Sequence, residues 1–204
     1  MSNPFESLFP GGHGQVLRVL LQQPEPLSGR SIALLLGGKL GKSRVLEILG
    51  QLVDAGVVDR DIVGSAHKYL INRDHISYPQ LARLSDPVGQ LVSLIQRHIA
   101  SWKIAPARAV VFGSTAKHSS TSDSDLDLLI LRPESTSPED EIWGEQTFRL
   151  TIRLERATGL SIQLVEYSET EYQQLEDSGA RLPLDIRDAG IEIQTGGTLK
   201  MTGS

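Results

Sequence analysis

Val16, Leu17, Leu20 and Leu21 recur at helical spacing, and Pro24 and Pro26 close the segment, so the pattern predicts a first helix over residues 13–22. The twelve residues before it hold Pro4, Pro10 and two glycines and read as an arm. A second, short helix is expected from the capping Ser28 through Ile32 to Leu36, where Gly37-Gly38 breaks it. A third follows Gly41-Lys42-Ser43, with Val45, Ile48, Leu49, Leu52 and Val53 in one stripe up to Ala55-Gly56. Val57-Val58 and residues 68–71, joined across the turn-rich Gly64-Ser65-Ala66, read as a two-stranded hairpin.

Beyond residue 85 the pattern changes. Asp86-Pro87 sets an N-cap before a proline at the first helical position, and Val88, Leu91, Val92, Ile95, Ile99 and Trp102 then share a face. The apolar run 109–112 stops at Gly113 and reads as a buried strand ending in a turn. Residues 115–121 are small and polar, suited to a loop or a first helical turn. In the stretch 125–131 side chains alternate, placing Leu126, Leu128 and Ile130 on one face and Asp125 and Asp127 on the other. A polar loop over 132–138 leads to a helix begun by residues 137–140, with Trp143, Thr147, Leu150 and Leu154 at helical spacing and Gly159 as its stop. A strand at 161–167, a capping box at Ser168-Glu169-Thr170-Glu171 opening a helix through Leu175, and a short strand at 191–193 complete the pattern. No internal repeat is found, and the Gly- and Thr-rich tail is expected to fray.

Composition narrows the class without naming a function. The chain of 204 residues is 39% apolar and 22% charged, as in an ordinary folded protein. It has no apolar run near a membrane-spanning length and no charged-then-apolar leader at Met1, so a cytoplasmic protein is expected. Cys is absent, which excludes disulfides and thiolate metal sites, and the five histidines show no ligand spacing. The net charge of −5 is unevenly spread: residues 1–75 carry eight Lys/Arg against seven Asp/Glu, and residues 76–204 twelve against eighteen. That balance argues against a nonspecific nucleic-acid coat and leaves room for a local basic patch.

Chemistry concentrates between residues 109 and 131. Gly113 lets the backbone approach a ligand, and free N–H groups at such a turn attract phosphate oxygens. Asp125 and Asp127 on one face of a core strand repel each other unless a cation lies between them. Oxygen ligands of this kind, completed by water and phosphates, suit Mg²⁺, or Mn²⁺ in its place. The layout points to an NTP, as substrate or ligand, with Gly113, Ser114, Lys117 and Ser124 as candidate nucleotide-binding residues and Asp125 and Asp127 as candidate catalytic and metal-binding residues.

The residues G-S-x-A from Gly113, followed by S-D-x-D-L with its first Asp twelve positions after that Gly, resemble the nucleotidyltransferase signature of the DNA polymerase β superfamily, nearest to its minimal nucleotidyltransferase branch. The resemblance implies a small mixed sheet backed by helices over residues 86–194. In it Gly113 and Ser114 hold the triphosphate and Asp125 and Asp127 bind metal. It also implies a third carboxylate on the strand at 161–167, at the position of Gln163, where this chain has a neutral amide. Glu166 alternates to the opposite face and is a poor substitute. Lys117-His118 stand where the branch commonly has Arg-Gly. A HEPN-type protein partner is implied by the resemblance alone.

The helix, helix, turn, helix, hairpin order of the first third is similar to a winged helix-turn-helix, and A-G-V-V-D-R at residues 55–60 resembles the helix-to-wing junction of that family. Duplex DNA is the partner so implied, with contacts from the start of the third helix and from the wing. Arg30, Lys39, Lys42 and Arg44 lie between Pro26 and Leu46 with no acid among them, Ser43 adjoins them, and Lys68 sits at the wing. Winged helices also serve as protein-docking modules, and that alternative stays open. The expected architecture is α/β (α+β): a winged helix at 1–75, a linker at 76–85, a nucleotidyltransferase domain at 86–194 and a tail at 195–204. Two functions follow. One is slow transfer of a nucleoside monophosphate from Mg-NTP to a protein or small-molecule hydroxyl. The other is a non-catalytic DNA-binding transcriptional regulator or antitoxin-like protein with a degenerate nucleotide-sensing domain. Assembly into a homo-oligomer is left open.

Overall fold

Val16, Leu17 and Leu20 on helix α1 (His13–Gln22) are buried against Ile32 of α2 (Gly29–Leu35) and Val45, Ile48 and Leu49 of α3 (Lys42–Asp54), so the predicted stripes meet in one core. The computed structural model describes residues 8–64, 66–116 and 125–195, and the chain divides into two compact units at the Pro87–Val88 junction. In the first unit Ser28 caps α2 as expected, its hydroxyl accepting from the Ser31 N–H at 3.0 Å. Gly56, at φ +72°, ends α3 in the left-handed conformation, and the Asn72 side chain donates to its carbonyl at 2.9 Å, fixing the base of the hairpin.

That hairpin is longer than the sequence pattern suggests: β2 (Val58–Val63) and β3 (Ala66–Ile71) pair antiparallel along their full lengths. A two-residue strand, β1 (Leu27–Ser28), adds to the far edge of β3 and gives the order β1-β3-β2. The expected linker at 76–85 is a helix instead, α4 (Tyr78–Ser85), because Leu81 is buried in the first core and Tyr78 packs against it. Pro79 hid it, although proline is tolerated in a first helical turn.

The second unit opens with α5 (Pro87–Ile99) and continues with β4 (Arg108–Phe112), α6 (Gly113–Ala116), β5 (Leu126–Arg132), α7 (Glu141–Thr158), β6 (Ile162–Ser168), α8 (Glu169–Asp177), α9 (Arg181–Ala189) and β7 (Ile191–Ile193). Its sheet has the order β6-β5-β4-β7, with β5 and β6 parallel and the other pairs antiparallel. Leu126, Leu128 and Ile130 face a core built with α5 and α7, where Trp102 and Trp143 meet edge to face at 5.5 Å. Leu129 and Leu131 face a second core with Val110, Phe112, Tyr172 of α8 and Ile186 of α9. Burial on both faces explains why β5 reads as an almost continuous apolar run. Each fully buried Leu or Ile there contributes about 1.5–3 kcal/mol.

Capping sets the helices around this sheet. Asp140 accepts from the Trp143 N–H at 2.9 Å to start α7, Gly159 at φ +70° stops it, and Ser168 with Glu171 forms the expected capping box of α8. Helix α9 was not anticipated from the sequence; Pro183 in its first turn masked the spacing of its buried Ile186. Arg132, buried at the end of β5, meets Glu166 at 3.0 Å, donates to the Thr136 carbonyl and lies 3.8 Å from Glu171. Among the described residues no helix is long and apolar enough to cross a membrane.

Candidate nucleotide and metal site

Phe112, Asp127 and Gln163 form one row across the sheet, since Phe112 pairs with Asp127 and Asp127 with Gln163. Paired residues point to the same face. Asp127 thus rises beside Phe112 at the end of β4, where the chain turns into α6. Asp125 lies one residue before β5 on the same side, by alternation, and is partly buried like Asp127. The sequence expectation that both carboxylates share a face therefore agrees with the register.

Gly113 makes the turn possible. Its φ is +70°, a region L side chains rarely adopt, and a Cβ added there would land on the Asp127 carboxylate, 2.9 Å from its Cγ. The glycine therefore lets the Asp127 side chain lie flat against the start of α6. Ser114 follows in the first turn of α6, and Thr115 behind it is buried.

Burial pushes the Asp127 carboxyl above its ordinary range, and the negative charge of Asp125 pushes it further. A bound cation would relieve both. Gln163 answers part of this need: its side-chain N–H donates to Asp125 Oδ2 at 2.9 Å. Where the resemblance implies a third carboxylate, the chain thus sets an amide donor. Among the described residues no group of three His, Cys, Asp or Glu side chains could hold a metal, in keeping with that substitution. Asp125 and Asp127 are oxygen donors of the kind that would suit a divalent cation. Glu166, as alternation implied, points to the other face, where it pairs with Arg132.

Lys117 and Ser124, together with His118, fall in 117–124, outside the described residues. In the first unit Arg30, Lys39, Lys42 and Ser43 are exposed around α2 and the start of α3. Arg44 is tied down: it meets Glu47 one turn along at 2.8 Å and donates to the Gly11 carbonyl at 3.0 Å. Lys68 is half-buried on β3, between Ser28 of β1 and Asp61 of β2. Counting charges along the chain hid the tie of Arg44, since Glu47 lies outside the stretch that is free of acids. Exposed Leu34, Leu35 and Leu46 belong to the same region.

Residues 96–178 match the family model described as Polymerase beta, Nucleotidyltransferase. The match runs from within α5 through α8. No curated protein matches the chain. A solved structure described as a crystal structure of the toxin-antitoxin with AMP-PNP is similar to it, at 17% identity over 53% of this chain and 74% of that one, with a TM-score of 0.34. The matched stretch resembles a nucleotidyltransferase domain of the polymerase β type, and Gly113, Asp125, Asp127 and Gln163 all fall within it.

Proposed function

We propose that the second unit binds an NTP with a divalent cation at Gly113, Ser114, Asp125 and Asp127, and that it transfers a nucleoside monophosphate to a hydroxyl slowly. The observation that carries this reading is the row Phe112–Asp127–Gln163 at the mouth of the Gly113 turn, inside the matched nucleotidyltransferase residues. A cation, when bound, neutralises the triphosphate and polarises the reacting phosphoryl group. Asp125 and Asp127 would hold it, and backbone N–H groups of the Gly113 turn would meet phosphate oxygens. In the reaction the acceptor oxygen bonds to the α-phosphorus, the bond to pyrophosphate breaks, and the acceptor proton goes to solvent. Gln163 is neutral and takes no proton. General-base help is worth about 10²–10⁴-fold, so turnover without a carboxylate at Gln163 is slow.

The test is calorimetric titration of each NTP into the full chain with Mg²⁺ and with chelator, alongside transfer of label from an α-labelled NTP. Mg²⁺-dependent binding that Asp125→Asn abolishes supports the reading. Equal affinity with and without Mg²⁺ overturns it.

In the same reading the first unit is a winged helix that binds duplex DNA, the observation being exposed Arg30, Lys39, Lys42 and Ser43 with no acid between Pro26 and Leu46. A regulator that senses a nucleotide without turning it over is the second reading, favoured by the amide at Gln163. A protein partner of the HEPN type stays with the resemblance, self-association stays open, and neither carries weight in either reading.

A further inference from the structure

Gln163 does more than leave a carboxylate out. Its amide nitrogen occupies a lone-pair direction of Asp125 Oδ2 at 2.9 Å, and an N–H donor and a cation compete for the same oxygen. The amide brings positive partial charge to the carboxylate pair and no negative ligand. One divalent cation balances Asp125 and Asp127; a second would find no further carboxylate beside them among the described residues. No further His, Cys, Asp or Glu among the described residues joins the pair to offer another position. Glu166, the nearest acid on β6, is engaged with Arg132 across the sheet.

We propose that the site holds a single divalent cation per bound nucleotide and that Gln163 sets this limit. The inference rests on the nucleotide-site reading above and adds to it the state in which the nucleotide is held. Gln163 is a positioning residue. It restrains Asp125 toward β6, so the cation is left to Asp127, the other Asp125 oxygen and the triphosphate. The position beside an attacking hydroxyl stays without a metal, and the bound nucleotide keeps its triphosphate far longer than a two-cation site would allow.

The experiment counts Mn²⁺ by electron paramagnetic resonance. Full-length protein is mixed with one equivalent of an α,β-methylene NTP, and the unbound hexaaqua signal is followed during titration. One tightly held Mn²⁺ per nucleotide in wild type, rising to two in Gln163→Asp, is the expected result. Gln163→Leu, which deletes the donor without adding a ligand, is expected to remain at one. Two Mn²⁺ in wild type would overturn the inference, because the amide oxygen would then be serving as a ligand. One Mn²⁺ in both Gln163→Asp and Gln163→Glu would overturn it as well, since residue 163 would not set the count. Circular dichroism checks that each variant is folded, and the wild-type count stands without them. If wild type holds no Mn²⁺ with the nucleotide, the nucleotide-site reading itself falls, a result distinct from the other two.

Discussion

Gly113 and Asp127 form a contact that no larger residue can enter. Alanine at Gly113 would hold a left-handed backbone, at a cost of about 1–3 kcal/mol, and its methyl would drive the Asp127 carboxylate off the turn. Gly113→Ala should therefore lower the thermal midpoint and abolish Mg²⁺-dependent nucleotide binding together. A folded variant that binds Mg-NTP like wild type would show the turn to be dispensable. Asp127 also gives the cation-free protein a pH dependence. Its folded carboxyl sits above the ordinary 3.8, through burial first and Asp125 second, so the native state holds a proton the unfolded chain has lost. That contribution is present below the ordinary value and is lost as pH rises through the raised one. Asp125→Asn removes the second cause, so without divalent ions the variant should be the more stable of the two at neutral pH, by urea midpoint, and the gap should shrink in acid. A wild type more stable than the variant at neutral pH would show the pair to be compensated by other groups.

At the scale of elements, β5 and β6 decide what each acid does. Their parallel register sends Gln163 to the Asp127 face and Glu166 to the Arg132 face. Breaking a fully buried pair by removing one partner costs about 3–5 kcal/mol; Glu166 keeps some exposure, so Glu166→Gln should fall at or below the lower end of that range. Nucleotide affinity should be unchanged. Lost affinity with unchanged stability would instead place Glu166 in the site. Alternation over 125–131 and 161–167 made this division of labour readable from sequence, because a period of two admits no ambiguity within one strand. The capping box at Ser168 and the left-handed stop at Gly159 were equally readable, since each is written in a few adjacent residues. Strand β1 and helices α4 and α9 were not. β1 has two residues and exists only through its pairing with β3, while Pro79 and Pro183 sit in the first turns of α4 and α9 and look like breakers. The Asp125–Gln163 hydrogen bond joins residues 38 apart, and no local pattern announces it.

For the molecule as a whole, the two units carry different charge balances, and the candidate DNA contacts belong to the one that is close to neutral. Salt dependence is the informative measurement, because each phosphate neutralised by a cation adds about 0.9 to the slope of log affinity against log salt. Arg44 is a weaker candidate than its place in the sequence suggests, being engaged with Glu47 and the Gly11 carbonyl. Lys39 and Lys42 are exposed around the turn into α3 and are free to reach a backbone. In the full-length protein Lys42→Glu should therefore weaken binding to duplex DNA and reduce the slope by about one, and adding Lys39→Glu should reduce it again. Arg44→Gln should cost stability through the lost tie to Gly11 and change the slope less than Lys42→Glu does. If wild type binds duplex with no dependence on salt, or not at all, phosphate contact is excluded, and exposed Leu34, Leu35 and Leu46 then make a protein surface the better assignment for this unit.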